Sequence, residues 1–86
     1  MEPSITLYAL QHCAHCKRAK QYLENRNLRF KTVSVDMLSG AERNDTLRHL
    51  RRINPGASFP TLVIGDTVVI GFQKEKIEEA LTRQSG

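Results

Sequence analysis

From Ser4 to Leu10 the chain alternates Ile5, Leu7 and Ala9 with Thr6, Tyr8 and Leu10. Both sets are largely apolar, which predicts a central strand covered on both faces. The pattern stops at Gln11-His12 and the period then changes. Across Ala14 to Arg26, Cys16, Ala19 and Leu23, with Tyr22 beside them, recur at spacings of three and four. Lys17, Arg18, Lys20 and Glu24 fall on the opposite side, so the segment predicts an amphipathic helix. Asn27 tolerates a left-handed backbone and marks its end. Leu28 to Val35 predicts a second strand through Phe30, Val33 and Val35. Two strands joined by one helix make a βαβ unit, so these strands should be parallel with a right-handed crossover.

Ser39-Gly40-Ala41-Glu42 places a carboxylate three residues after a hydroxyl. This spacing predicts a capping box opening a second helix, with Leu47, Leu50 and Ile53 on its inner face. Asn54-Pro55-Gly56 ends that helix. Phe59 to Ile64 and Thr67 to Phe72 read as two strands, and Gly65-Asp66 between them reads as a two-residue hairpin turn. Gln73 to Arg83 predicts a last helix facing inward through Ile77, Ala80 and Leu81. It lacks a Ser, Thr, Asp or Asn at the N-cap. The element order is β-α-β-α-β-β-α, an α/β chain without repeats or linkers in which only the two ends should fray.

Composition narrows the function classes. Eighty-six residues, 40% hydrophobic and 26% charged, fit one small domain spanning residues 1–86. No apolar run approaches the roughly 20 residues that span a bilayer, and the N-terminus lacks a basic-then-apolar signal pattern. A cytoplasmic protein that does not engage membranes is therefore expected. The net charge is +4 and the pI about 9.4. Arg48, Arg51 and Arg52 share a predicted helix face, but no aromatics interleave them and no nucleic-acid motif accompanies them. A solvated face is expected, not a nucleic-acid surface.

The chemistry concentrates in His12-Cys13-Ala14-His15-Cys16-Lys17, at the junction of the first strand and first helix. The chain has two cysteines, too few for a secreted disulfide framework. Two intervening residues at a helix start let both sulfurs lie on one side of a single turn. Unpaired N–H groups and the helix dipole favour a thiolate at Cys13. Thiolate is the attacking species in disulfide exchange, so Cys13 reads as nucleophile and Cys16, one turn in, as resolving thiol. Lys17, with Arg18 and Lys20, adds positive charge where a helix start disfavours it, unless it serves that thiolate. A partly charged His15 imidazole would act in the same direction.

The same cysteines admit other chemistries. Covalent haem attachment needs His directly after the second cysteine, where Lys17 stands. A closed zinc site needs four ligands, and Cys13, Cys16 and one of His12 or His15 fall short of that. A two-coordinate copper carrier would also hold the pair after a first strand, but with the order β-α-β-β-α-β. Redox chemistry is the leading reading. The alternative is a metal-handling or iron–sulfur-cluster-binding protein using both thiols, with no closed metal site assigned.

A strand, then Cys13-Ala14-His15-Cys16 opening a helix, then Ser58-Phe59-Pro60-Thr61 and Ile70-Gly71-Phe72, resembles the glutaredoxins, including the NrdH-type redoxins. The resemblance runs from Ile5 to Leu81. It implies the thioredoxin fold, a four-stranded mixed sheet in order 2-1-3-4 with helices on both faces. It further implies a cis peptide before Pro60, with Phe59, Pro60, Gly71 and Phe72 forming the substrate-binding surface. The implied activity is thiol–disulfide oxidoreduction of protein disulfides through the Cys13/Cys16 dithiol. No bound cofactor is required, since the redox-active group is the Cys13–Cys16 disulfide itself. A monomer is expected.

Departures from the family pattern bear on the electron source. Glutathione-using members usually carry Lys three residues before the first cysteine, where this chain has Leu10. They follow the fourth-strand glycines with acidic or polar residues, whereas Gly71 is followed by Phe72-Gln73-Lys74. Gly71-Phe72 matches the NrdH-type redoxins, although their following Arg-Pro is missing. Ala14-His15 replaces the usual Pro-Tyr. The resemblance therefore implies a thioredoxin-reductase-type flavoprotein or another protein dithiol as reductant in preference to glutathione, with glutathione the other candidate.

Overall fold

The structure is a computed structural model that describes residues 4–85. The fraying expected at the extreme termini concerns residues outside this range. The elements are β1 (Ile5–Ala9), α1 (Ala14–Asn25), β2 (Lys31–Ser34), a 3-10 turn (Val35–Met37), α2 (Gly40–Ile53), β3 (Thr61–Ile64), β4 (Thr67–Ile70) and α3 (Lys74–Ser85).

The sheet order is β2-β1-β3-β4, as the resemblance implies. β1 runs parallel to β2, from Thr6 opposite Lys31 to Ala9 opposite Ser34. It runs antiparallel to β3, with Ile5 opposite Ile64. The β3–β4 hairpin pairs Ile64 with Thr67 around Gly65-Asp66, and Gly65 holds φ +62. A side chain there would be strained and would also meet Gln84.

Alternation along β1 divides the molecule into layers. Ile5, Leu7 and Ala9 are buried and join Leu62, Ile64 and Val69 of the sheet in one core. Cys16, Ala19 and Leu23 of α1 and Ile77, Ala80 and Leu81 of α3 close that core from above. Burying one leucine of this kind stabilises by roughly 1.5–3 kcal/mol. Thr6 and Tyr8 point to the other face, where they are half-buried. There the Tyr8 ring lies 6.2 Å from the His49 ring of α2. Both faces of β1 are covered, but the α1–α3 face more completely.

Asn27 ends α1 as the sequence predicts. Its φ is +57, and its N–H donates to the Glu24 carbonyl at 2.9 Å. Leu28 N–H donates to the Leu23 carbonyl at 3.2 Å, completing a Schellman arrangement.

Four expectations need correction. The capping box does not form. Ser39 occupies the N-cap position without a side-chain hydrogen bond, and Gly40 sits at φ +60. That left-handed first residue turns the chain sharply, and the first helical bond, Arg43 N–H to the Ser39 carbonyl, is long at 3.4 Å. The second strand spans Lys31–Ser34 only. Its partner β1 ends at Ala9, so Val35 leaves the ladder and buries itself in the 3-10 turn instead. The third and fourth strands are also shorter than expected. Pro60 has no N–H for the ladder, and Gly71 at φ +81 turns the chain away. Phe59 and Phe72 therefore stand in the loops just beyond the paired residues. Finally, α3 begins at Lys74. Gln73 precedes it, and its side chain donates to the Ile70 carbonyl at 2.6 Å.

Candidate thiol site

Cys13 is the N-cap of α1, with an extended backbone (φ −134, ψ 112). In that conformation its side chain folds over the open first turn, as a capping oxygen would. The Cys16 N–H donates to the Cys13 Sγ at 3.3 Å. The next helical bond, Lys17 N–H to the Cys13 carbonyl, is 3.1 Å. Both thiols are free. Cys13 is partly exposed, whereas Cys16 is only 2% exposed and belongs to the core.

Burial pushes the Cys16 thiol up to about 11. The hydrogen bond and charge of Cys13 push in the same direction, as does the Asp36 carboxylate. A backbone hydrogen bond from Leu10 partly opposes them. Asp36 itself is held in the 3-10 turn by the Gln11 N–H, which bridges its two oxygens at 3.1 and 3.0 Å. The turn thereby anchors the loop that delivers Cys13. A cavity of about 240 Å³ opens beside Cys16, lined in part by Leu10, Gln11, Lys17 and Lys20.

The predicted substrate surface is assembled from two loops. The Phe59–Pro60 peptide is cis, as the resemblance implies. Pro60 is buried, and its carbonyl accepts the Gly71 N–H at 2.8 Å, which ties the start of β3 to the end of β4. Tyr8 lies opposite Thr61 and Thr61 opposite Ile70, so the loops that carry Cys13, Phe59 and Phe72 leave the same end of the sheet, and all three residues pack against the core. His15 and Lys17 project into solvent from the first turns of α1. Among the described residues neither side chain has a hydrogen bond or an ion pair, so the structure does not join them to the thiols.

Two supports escaped the sequence reading. Asn54, assigned only to ending α2, is 3% exposed. Its Nδ2 donates to the Ser58 carbonyl and Oγ, both at 3.2 Å, and to Thr61 Oγ1 at 3.0 Å. Thr61 in turn donates to the Ser58 carbonyl at 2.7 Å. This knot fixes the loop that carries Phe59 and Pro60. The second support is Glu78, which accepts from Arg26 Nε and Nη2 at 2.8 Å each and from the Tyr22 hydroxyl. Arg26, followed by the Tyr22 hydroxyl, holds the Glu78 carboxyl below its usual range. Tyr22 then meets Phe72 edge-on at 5.9 Å. A polar residue followed at i+7 by threonine, and one of three glutamates on α3, offer no periodic signal to find them by.

Among the described residues no three His, Cys, Asp or Glu side chains cluster as metal ligands would. A cavity of about 630 Å³ lies beneath α2 and is lined by Tyr8, Val33, Leu38 and His49 among others. It includes none of the thiol-site residues.

Such a sheet, with a helix-capping thiol and a cis-proline at the same end, is the thioredoxin fold. The glutaredoxin family model matches residues 5–69. The glutaredoxin-like protein NrdH of Salmonella typhimurium is 32% identical over 74 residues, covering 86% of this chain and 84% of that protein. The crystal structure of Methanosarcina acetivorans methanoredoxin superposes with a TM-score of 0.86 at 34% identity, over 93% of this chain and 85% of that one. The Methanosarcina mazei glutaredoxin structure gives 0.85 at 37% identity, over 91% and 77% of the two chains. The chain belongs to the glutaredoxin family, and with it to the thiol–disulfide oxidoreductases.

Proposed function

We propose that the protein reduces disulfides of partner proteins through a Cys13/Cys16 dithiol. The observation that carries this reading is the pair itself: Cys13 caps α1 at the surface, and Cys16 is buried one turn behind it. Cys13 thiolate attacks one sulfur of the partner disulfide. That bond breaks, a partner thiolate leaves, and a Cys13–partner disulfide forms. Cys16 then loses its proton to solvent and attacks the Cys13 sulfur. The second partner thiolate leaves and the Cys13–Cys16 disulfide remains. Two electrons pass to the partner, whose thiolates take their protons from water.

The electrostatics of Cys16 support this order. In the dithiol, Cys13 contributes to holding the Cys16 proton in place. Once the Cys13 sulfur is in a mixed disulfide its charge is gone, and that part of the upward push disappears. Cys16 becomes easier to ionise when its attack is required. Phe59, Pro60, Gly71 and Phe72 form the docking surface for the partner. Lys17, in the first turn of α1, adds positive charge near the thiols, and His15 stands between the two cysteines in the chain. A protein disulfide reductase of the flavoprotein type is the favoured electron source, with glutathione the other candidate.

Trapping tests the reading directly. Cys16→Ser should accumulate mixed disulfides with proteins from an extract, released by dithiothreitol, because attack proceeds and resolution does not. Cys13→Ser should accumulate none. Trapping by Cys13→Ser alone would reverse the two roles, and trapping by neither would remove the proposal.

A further inference from the structure

A cleft of about 380 Å³ runs between the outer face of α1 and the start of α3. It is lined by Arg18, Gln21, Tyr22 and Asn25 from α1, and by Phe72 and Lys74 from the other side. Two of these six are cations and none is acidic. The described ion pairs are Arg26 with Glu78, Arg48 with Asp45 and Arg83 with Glu79. Arg18 and Lys74 are therefore both without an anionic partner among the described residues. Glu78, one turn after Lys74 in α3, is already occupied by Arg26 and Tyr22.

The walls are rigid where it matters. Tyr22 is held at its hydroxyl by Glu78 and braces the Phe72 ring edge-on at 5.9 Å. Lys74 Nζ lies 6.0 Å from the centre of the same ring, which keeps its ammonium at the rim of the cleft. Gln21 and Asn25 add amide donors between the cations. A carboxylate entering the cleft would meet positive charge from both walls, with amides to complete its hydrogen bonds and an aromatic side for its methylenes. Two cations line the cleft, one on each wall, so the arrangement suits a single acidic side chain better than a nucleic-acid backbone.

We propose that the α1–α3 cleft is a docking subsite that seats an aspartate or glutamate of a disulfide-bearing partner protein, beside Phe72. The proposal rests on the dithiol reading above and adds a charge requirement to its choice of partner. Partners carrying an acidic residue near the reactive disulfide are selected, and partners carrying a basic one are repelled.

Cyclic disulfide peptides that differ only in one flanking residue, Glu, Gln or Lys, test it. At low salt kcat/KM should favour Glu over Gln by about three- to tenfold, as two partly exposed ion pairs would give. Lys should be poorer than Gln. In the Arg18→Gln/Lys74→Gln double variant the Glu-to-Gln ratio should fall close to one. In Arg51→Gln/Arg52→Gln, with the same net charge removed elsewhere, it should persist. Equal use of Glu and Gln by the unaltered protein overturns the proposal. So does a ratio that survives the cleft variant, or one that both variants lose, which would assign the preference to overall charge. A binding readout separates this from the redox reading. A linear peptide with Glu and no cysteine should shift the NMR resonances of Tyr22 and Phe72, and its Gln counterpart should not. If no peptide is reduced but the Glu peptide binds in this way, the cleft stands and the dithiol reading falls. If peptides are reduced while no selective shift appears, the cleft falls and the dithiol reading stands.

Discussion

Cys13 and Cys16 are chemically one residue type, and their surroundings make them different. The partly exposed Cys13 Sγ accepts a backbone N–H, while Cys16 is sealed in the core with its thiol raised to about 11. At pH 8 a thiol of that pKa is ionised to only about one part in a thousand. Iodoacetamide should therefore label Cys13 first in the reduced protein. Labelling of Cys16, followed by peptide mass spectrometry, should trail that of Cys13 and still be rising at about pH 9, and a plateau below that would contradict the burial argument. His15 offers a second test at this scale. Positive charge there would favour the thiolate and hence the reduced form. His15→Tyr should then make the disulfide harder to reduce, shifting the potential to a more negative value. A tenfold change in the exchange equilibrium corresponds to about 30 mV. An unchanged potential, measured against a glutathione or dithiothreitol buffer, would show that His15 has no electrostatic part.

At the scale of elements, the site exists because loops at one end of the sheet are tied together. The Gly71 N–H to the Pro60 carbonyl joins the two ends of the β3–β4 hairpin region. Asn54 fastens the loop after α2 to Thr61 and Ser58. Asp36 in the 3-10 turn holds Gln11 ahead of α1. Of these, Asn54 contributes a buried polar side chain with three side-chain hydrogen bonds. Asn54→Ala removes three hydrogen bonds and leaves the Thr61 hydroxyl and the Ser58 carbonyl less satisfied, so it should destabilise by about 1–3 kcal/mol. Urea unfolding measures that loss. The reduction rate of a protein disulfide, measured well below the unfolding midpoint, should fall as well, because the loop carries Phe59 and Pro60. A stability loss with normal turnover would confine Asn54 to a purely structural part.

For the whole molecule, the open quantity is where its electrons come from. The net charge of +4 draws anions of any kind, glutathione and acidic proteins alike. Local composition favours a protein. Leu10 brings no charge to the strand end before the thiols, and Phe72 offers an apolar face at the same end of the sheet. Oxidised protein assayed with NADPH and thioredoxin reductase alone should turn over faster than with glutathione and glutathione reductase. Faster turnover in the glutathione arm, saturating at low glutathione, would reverse this preference. No helix among the described residues is long and apolar enough to cross a membrane.

Local pattern was enough to read the thiol motif, the strand and helix order, the stop at Asn27 and the hairpin at Gly65-Asp66. Each of these depends on residues adjacent in the chain, where periodicity and backbone preference act directly. The sheet order and the cis-proline were legible only through family resemblance, since neither spacing nor composition specifies which strands become neighbours. Tertiary structure decided the rest. Whether Val35 stays in a strand depends on where β1 ends, and whether Ser39 caps α2 depends on the turn that Gly40 takes. The Cys16 thiol is raised because α1 lies against a sheet whose partners come from far along the chain. Asn54 and Glu78 became supports of the site through contacts with residues 7 and up to 56 positions away. Burial and hydrogen-bond satisfaction are properties of the packed molecule, and no local pattern encodes them.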